Sequence, residues 1–250
     1  MTGSFGLIRK FEEVERNHWW WNGRRKLVGL LIPCGEYLKI LDVGCGTGET
    51  LSFLKKVKPN FKLYGIDSDP IAVGFSKSRN CGTVYKSFAE KLPFPDNYFD
   101  AVMFLDVLEH IKNQKKVLSE SKRVLKRGGL IIITAPALKL LWSGHDTKQG
   151  HFRRYTRTEI RLLAKKSGLK LEFFSYFNFL LALPIVAIRV MSQFKPFNFL
   201  VSYNNRFNYD IAKNKPVNSL LTGIFSTEIG LIKIFHYPIG ISVAAVLKKV

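Results

Sequence analysis

The chain has 250 residues with 46% hydrophobic content, enough for one α/β domain with additions and a real core. Thirty-nine Lys and Arg against 19 Asp and Glu give a net charge of +20, an excess that attracts polyanions such as nucleic acid, anionic lipid headgroups or phosphorylated lipid carriers. Cys34, Cys45 and Cys81 show no CxxC or zinc-like spacing, which excludes a disulfide framework and reads as reduced cytosolic thiols.

No apolar leader with a cleavage site is expected at the start, because Phe5 to Arg25 is charged and tryptophan-rich. Phe11 to Arg25 has a helical pattern. Trp19, Trp20 and Trp21 cannot all face one way on a helix, so at least one is expected to meet a ligand, a partner or a lipid surface.

The apolar run Tyr37–Ile40 leads into Leu41-Asp42-Val43-Gly44-Cys45-Gly46-Thr47-Gly48-Glu49-Thr50, and amphipathic Leu51–Val57 follows. That order predicts strand, glycine turn and helix, the ligand-side entry of a doubly wound α/β sheet. A dinucleotide turn needs Gly-x-Gly-x-x-Gly, but Thr47 or Glu49 stands where its last glycine belongs. A glutamate at the helix N-terminus also opposes a pyrophosphate there.

Asp42-x-Gly44-x-Gly46-x-Gly48 resembles the first motif of class I S-adenosylmethionine (SAM) dependent methyltransferases, and features further along extend the resemblance over most of the chain. It implies a seven-stranded Rossmann-like sheet, here with a helical insertion before the last strand. The glycines would pass under the methionine part of SAM, with Cys45 between them and Asp42 accepting from its ammonium. It also implies that residues 1–36 cap the SAM pocket, with Arg25 or Arg24 on the SAM carboxylate.

The second strand is expected over Phe61–Ile66, ending in Asp67. An acid there, 19 positions after Gly48, can accept both ribose hydroxyls, with Ser68 beside it. Asp69-Pro70 opens a helix to Ser78. A short strand, Thr83–Lys86, precedes Phe88, Ala89 and Glu90. Relatives often carry an acid where Phe88 stands; this chain departs there, so backbone groups near Ala89 and Glu90 and apolar contact with Phe88 are left to hold adenine.

The fourth strand, Ala101–Leu105, runs directly into Asp106-Val107-Leu108-Glu109-His110, at the carboxyl end of the central strand where ligands bind in such sheets. Leu105 and Asp106 join the expected SAM contacts. The segment is similar to an acid-x-x-Glu-His pattern by which some O-methyltransferases bind a divalent cation. That resemblance implies a site of Asp106, Glu109, His110 and His145 for Mg, Mn or Fe(II). His110, His145 and His151 are the candidate bases for deprotonating an acceptor hydroxyl.

A basic helix over Lys112–Arg127 is predicted to turn at Gly128-Gly129 into a fifth strand, Leu130–Thr134. The loop beyond holds His145, Asp146, His151, Arg153, Arg154 and Tyr155; the arginine pair could read a phosphate or carboxylate on the acceptor. Thr156-x-x-Glu159 is a capping box for a helix to about Ser167, and Leu169–Phe174 is the sixth strand.

Residues 177–238 form an insertion far above ordinary loop length. From Phe173 through Tyr209 there is no acid, and eight phenylalanines lie between residues 173 and 207. The apolar run Phe173–Ile188 is too short and too polar to span a membrane and resembles an interfacial element. A helix over Asn218–Phe235 and a closing strand over Pro238–Leu247 complete a single domain, residues 1–250.

The expected function is a SAM-dependent O-methyltransferase with an amphiphilic or anionic acceptor: a small molecule, a lipid-linked sugar or a glycan intermediate. It would be cytoplasmic, in peripheral contact with the anionic inner membrane surface. Ribose methylation of RNA with a divalent cation, and a SAM-binding scaffold without catalysis, are the alternatives; no RNA-binding module is recognisable.

Overall fold

A computed structural model describes residue 12, residues 14–191 and residues 211–250, apart from the side chains at 145, 185 and 188–190. Seven strands form one sheet in the order β3-β2-β1-β4-β5-β7-β6. They are β1 Lys39–Val43, β2 Lys62–Asp67, β3 Thr83–Lys86, β4 Phe99–Leu105, β5 Leu125–Pro136, β6 Lys170–Phe177 and β7 Ser242–Lys248. All neighbours run parallel except β7, which is antiparallel to both β5 and β6. The helices are α1 Trp19–Leu31, α2 Glu49–Val57, α3 Pro70–Ser78, α4 Gln114–Val124, α5 Gly144–Lys148, α6 Arg157–Lys166, α7 Ala182–Met191 and α8 Lys215–Leu231.

The central strands read as unbroken apolar runs because both sheet faces are covered. Ile40 joins a core built with α1, α2 and α8, through Leu27, Leu54 and Phe225. Its neighbour Leu41 joins the opposite core, with Val117 and Leu118 of α4 and Ile160 of α6. This is the expected doubly wound architecture. The expected start signals also hold: Asp69 caps α3 through its bond from the Ile71 amide, and Thr156 and Glu159 form the reciprocal capping box of α6.

Three helices have boundaries that differ from expectation, and the closing strand starts at Ser242 rather than Pro238. The N-terminal helix breaks at His18, whose extended backbone and side chain cap a second helix that continues to Leu31. The basic helix stops at Val124, because Leu125 is wholly buried and pairs with Phe99. Strand β5 therefore starts at Leu125 and runs through the glycine pair, where Gly128 takes a left-handed φ of 77° and bonds Lys249 across the sheet. The last helix starts earlier, at Lys215, because the Asn214 side chain caps it.

The insertion leaves β6 at Phe177 and re-enters at Ser242, two residues paired with each other. Since β6 lies parallel to β4 and β5, both roots of the insertion stand at the carboxyl edge of the sheet. Its α8 packs on α1. Trp20 packs on both Phe177 and Phe225, with centroids 5.6 and 5.5 Å away, those two rings lie 6.1 Å from each other, and Trp19 meets Phe225 edge-on. A Cβ at Gly23 would fall 2.0 Å from the Phe225 ring, so the helices touch closely there. Trp19 and Trp20 thus meet the chain's own insertion. Lys195, Pro196, Arg206 and the phenylalanines at 194, 197, 199 and 207 lie outside the described residues, as do residues 1–11. Among the described residues no helix is long and apolar enough to cross a membrane.

Candidate active site

The glycine turn closes over the tip of β2. The amides of Gly44 and Cys45 both donate to Ile66 O, at 2.8 and 3.0 Å, and Gly48 donates to Cys45 O. Gly44, Gly46 and Gly48 all have left-handed φ, between 54° and 79°, which a residue with a side chain adopts only at a cost. Two of them are also sterically required. A Cβ on Gly44 would lie 2.6 Å from Val107, and one on Gly48 would lie 2.3 Å from Ser76 Oγ. Above Gly46 nothing stands within 4 Å, so that is the open floor of the site.

Asp67 accepts the Gly46 amide on Oδ2 and the Asp69 amide on Oδ1, each at 2.9 Å. Each oxygen keeps a lone pair for a diol. The Ser87 amide donates to Asp67 O, which sets the loop with exposed Phe88, half-buried Ala89 and Glu90, and exposed Ser68 beside this acid. Asp42 is 2% exposed and its Oδ1 has no hydrogen-bond partner. Burial raises its carboxyl to about 7, against the pull of Arg24. An orphaned buried carboxylate beside an open glycine floor fits a cationic nucleoside such as SAM, with Asp67 for the ribose and Asp42 toward the ammonium. Cys45 turns its thiol into the core, and burial pushes that thiol up; its share of the site is the backbone of the turn.

The N-terminal segment straps the turn down. Glu15, itself buried, accepts from Thr47 Oγ1 at 2.6 Å. Arg79 of the segment after α3 donates to Thr47 O and pairs with Glu49 at 2.6 Å, so the first turn of α2 already holds a carboxylate. Arg24 reaches the site: it donates to Asp106 Oδ2 at 2.6 Å and to Leu105 O at 3.3 Å. Arg25 does not. Its guanidinium is spent on Glu15 O, Arg16 O and Asn22. Of the two arginines expected to serve the SAM carboxylate, Arg24 is the one that reaches the end of β4, where it pairs with Asp106.

At the end of β4, Asp106 turns the chain with φ 59° and a single 3-10 turn, Leu108–His110, follows. Phe152 donates to Glu109 O at 2.8 Å, which pins the loop after β5 against this turn. His110 and His151 then meet edge to face at 4.7 Å. Glu109, His110 and His151 offer ligand atoms within 4.8 Å of one another. The expected cation set was Asp106, Glu109, His110 and His145. Asp106 is engaged by Arg24 instead, and His151 completes the cluster. His145 lies in α5, with its side chain outside the described residues.

His151 is oriented from behind by Asp146, Nδ1 to Oδ1 at 3.0 Å. Asp146 is wholly buried; burial raises its carboxyl, but bonds from Arg154 and His151 hold it down to about 2. Arg154 grips both of its oxygens, at 2.9 and 3.0 Å, and Ala137 O as well. Arg154 is therefore unavailable to an acceptor phosphate, contrary to expectation, because it neutralises a buried acid. Arg153 bonds Gln114 Oε1 at 2.8 Å, and Gln114 in turn contacts the Tyr155 hydroxyl. Burial raises Glu109 well above the ordinary carboxyl range, with Asp106 adding to it. Burial and then His151 lower His110. Glu15, Arg79 and Gln114 were not singled out as site residues; only the chain's close return at the glycine turn and the β4 end reveals them.

A glycine turn at β1, an acid at the tip of β2 and a polar cluster at the end of β4 on a 3-2-1-4-5-7-6 sheet match the arrangement of a class I SAM-dependent methyltransferase domain. Residues 41–133 match the family model described as a methyltransferase domain. The ubiquinone/menaquinone biosynthesis C-methyltransferase UbiE of Vibrio cholerae is 34% identical over 124 residues, 45% of this chain and 48% of that protein. The chain spans about half the length of the curated relatives it matches. Among solved structures, a methyltransferase in complex with the Trm112 activator of Haloferax volcanii superposes with a TM-score of 0.65 at 16% identity, covering 98% of this chain and 94% of that one. Phosphoethanolamine N-methyltransferase 2 of Haemonchus contortus, in complex with SAM, gives 0.64 at 18% identity, covering 98% and 57%.

Proposed function

We propose that the protein transfers the methyl group of SAM to a hydroxyl of an amphiphilic acceptor, with His151 as the base. The observation that carries this reading is the Asp146–His151 pair, packed on His110 and Glu109 at the end of β4. Asp146 accepts the hydrogen bond from Nδ1–H, which leaves Nε2 as the basic nitrogen. Arg154 compensates the aspartate, so the imidazole faces the site without a second free charge. When bound, SAM supplies an electrophilic methyl; the weak partner is the neutral alcohol, and removing its proton is what the protein must provide. Glu109 lies beside this pair, its carboxyl raised well above the ordinary range by burial and then by Asp106. The same Glu109, His110 and His151 are the donors a divalent cation would use, their oxygen and imidazole chemistry suiting Mg, Mn or Fe(II).

A second reading is methylation of a ring carbon next to such a hydroxyl. The name of the Vibrio relative supports it, and deprotonating the hydroxyl would activate either atom. The test is transfer from isotopically labelled SAM to polyprenylated phenols and to lipid-linked sugars, with the product solved by NMR. A methyl ether supports the first reading and a C-methyl product the second. Absence of transfer to every hydroxyl acceptor, with SAM still bound, overturns both.

A further inference from the structure

Helix α8 and the turn after it carry an outward face without charge. Pro216, Leu220, Gly223, Thr227 and Leu231 recur at intervals of three and four and are all exposed, so they form one stripe along the helix. Amides of Ile234 and Phe235 both donate to Leu231 O, which carries the helical path one turn further. Leu220 is 65% exposed, Ile234 73% and Phe235 59%. Between Pro216 and Ile232 the one charged residue is Glu228. It is buried and turned inward, accepting the amides of Phe179 and Leu180 at 3.0 Å. In a chain with 23% charged residues, a 17-residue helix with an outward side this bare is not an ordinary solvated face.

Basic residues bracket the stripe. Lys213 and Lys215 are exposed at its start, and Lys233 and His236 at its end. Apolar residues along the middle with cations at both ends match a helix lying in a lipid interface, its side chains among acyl chains and its lysines at headgroup phosphates. The net charge of +20 adds long-range attraction to the same anionic surface. The insertion also roots at the carboxyl edge of the sheet, the edge that bears His110 and His151. We infer that the exposed stripe of α8, from Pro216 to Phe235, is a docking surface for an anionic membrane and holds the acceptor side of the site against the lipid. This deepens the proposed function and rests on its amphiphilic acceptor.

The test is sedimentation of the full chain with vesicles of phosphatidylglycerol and phosphatidylcholine in equal amounts, and with phosphatidylcholine alone. Binding is expected to the anionic vesicles and to weaken as salt rises. L220E combined with I234E is expected to lower vesicle affinity about tenfold or more. L162E, on exposed Leu162 of α6 against the opposite sheet face, is expected to leave it unchanged. Thermal unfolding and SAM binding of each variant report folding. Wild-type protein that stays in solution with both vesicles overturns the inference, as does a double variant that sediments like wild type. A wild-type dimer that the double variant dissociates, without lipid binding by either, assigns the face to self-association and also overturns it. Because vesicle binding needs neither SAM nor acceptor, its failure leaves methyl transfer standing.

Discussion

Arg24 and Asp106 meet at 2.6 Å across the gap between α1 and the end of β4. Their side chains are 10% and 25% exposed, so the pair is largely withdrawn from water. It joins the strap that covers the glycine turn to the strand that leads into the Glu109, His110 and His151 cluster. Asp106 sits with φ 59°, a conformation costing of order 1 kcal/mol, and the arginine helps to hold it there. Replacing Arg24 by Met removes both its bonds and leaves Asp106 unpaired. Such a change costs about 3 kcal/mol when a buried pair is broken. The expected outcome is a lower midpoint in chemical denaturation and weaker SAM binding by calorimetry. Arg25→Met, which frees only carbonyls of the N-terminal segment and Asn22, is expected to spare the SAM affinity relative to the Arg24 variant.

Asp42 gives a pH dependence of definite sign. Its carboxyl titrates near 7 in the folded protein because burial disfavours the charge, against an ordinary value of 3.8. A bound ammonium needs the carboxylate, so SAM affinity is expected to rise as pH climbs through about 7 and then level off. In the absence of SAM the same raised value means stability is lost as pH rises from about 4 to about 7. Asp42→Asn therefore unfolds at a higher temperature than the parent at pH 8 without SAM, yet binds SAM weakly at every pH. Calorimetric titrations with SAM from about pH 6 to about pH 8.5 check the affinity, and thermal unfolding of the parent and the variant from about pH 4 to about pH 8 checks the stability.

Asp146 acts through two partners at once. Asp146→Asn weakens the grip on Arg154 and leaves a guanidinium that is 4% exposed facing a neutral amide. A loss of about 3–5 kcal/mol is the general cost of an uncompensated buried charge. It also replaces the carboxylate that sets the His151 tautomer by an amide whose NH2 can face the ring instead. Methyl transfer is expected to fall further than SAM binding does, because the glycine turn and Asp67 are untouched. The double change Asp146→Asn with Arg154→Met removes the stranded charge; recovery of the unfolding midpoint without recovery of turnover separates the structural role from the positioning of His151.

Much of this arrangement was readable along the chain wherever the signal is local. The left-handed glycines, the acid at the β2 tip and the Thr156 capping box each depend on residues within a few positions. Choices between neighbours were not readable. Arg24 and Arg25 project about 100° apart on a helix, and which one faces the site depends on how far α1 is rotated. That rotation is set by Trp19, Trp20 and Gly23 against Phe225, some 200 residues away. Likewise His151 rather than Asp106 joins Glu109 and His110, because the Phe152 amide bonds Glu109 O and Arg24 captures the aspartate. Arg154 looked like an anion reader because its charge was visible and the depth of Asp146 was not.

The glycine turn offers the sharpest separation of folding from ligand binding. Gly46 and Gly48 both have left-handed φ, 54° and 79°, so alanine at either costs about 1–2 kcal/mol of backbone strain. Their surroundings differ. At Gly48 a methyl would meet Ser76 Oγ at 2.3 Å and its Cα at 3.0 Å, and the backbone cannot step aside. Gly48→Ala is thus expected to unfold at a clearly lower temperature, and pairing it with Ser76→Ala relieves only part of the loss. At Gly46 a methyl meets nothing within 4 Å and projects into the space beneath the ligand. Gly46→Ala is expected to lose only that backbone strain, less than Gly48→Ala loses, while its SAM affinity falls about tenfold or more, the cost of losing one close contact over about 1.4 kcal/mol. Equal losses of binding in the two variants, at equal stability, would place the ligand elsewhere than over Gly46.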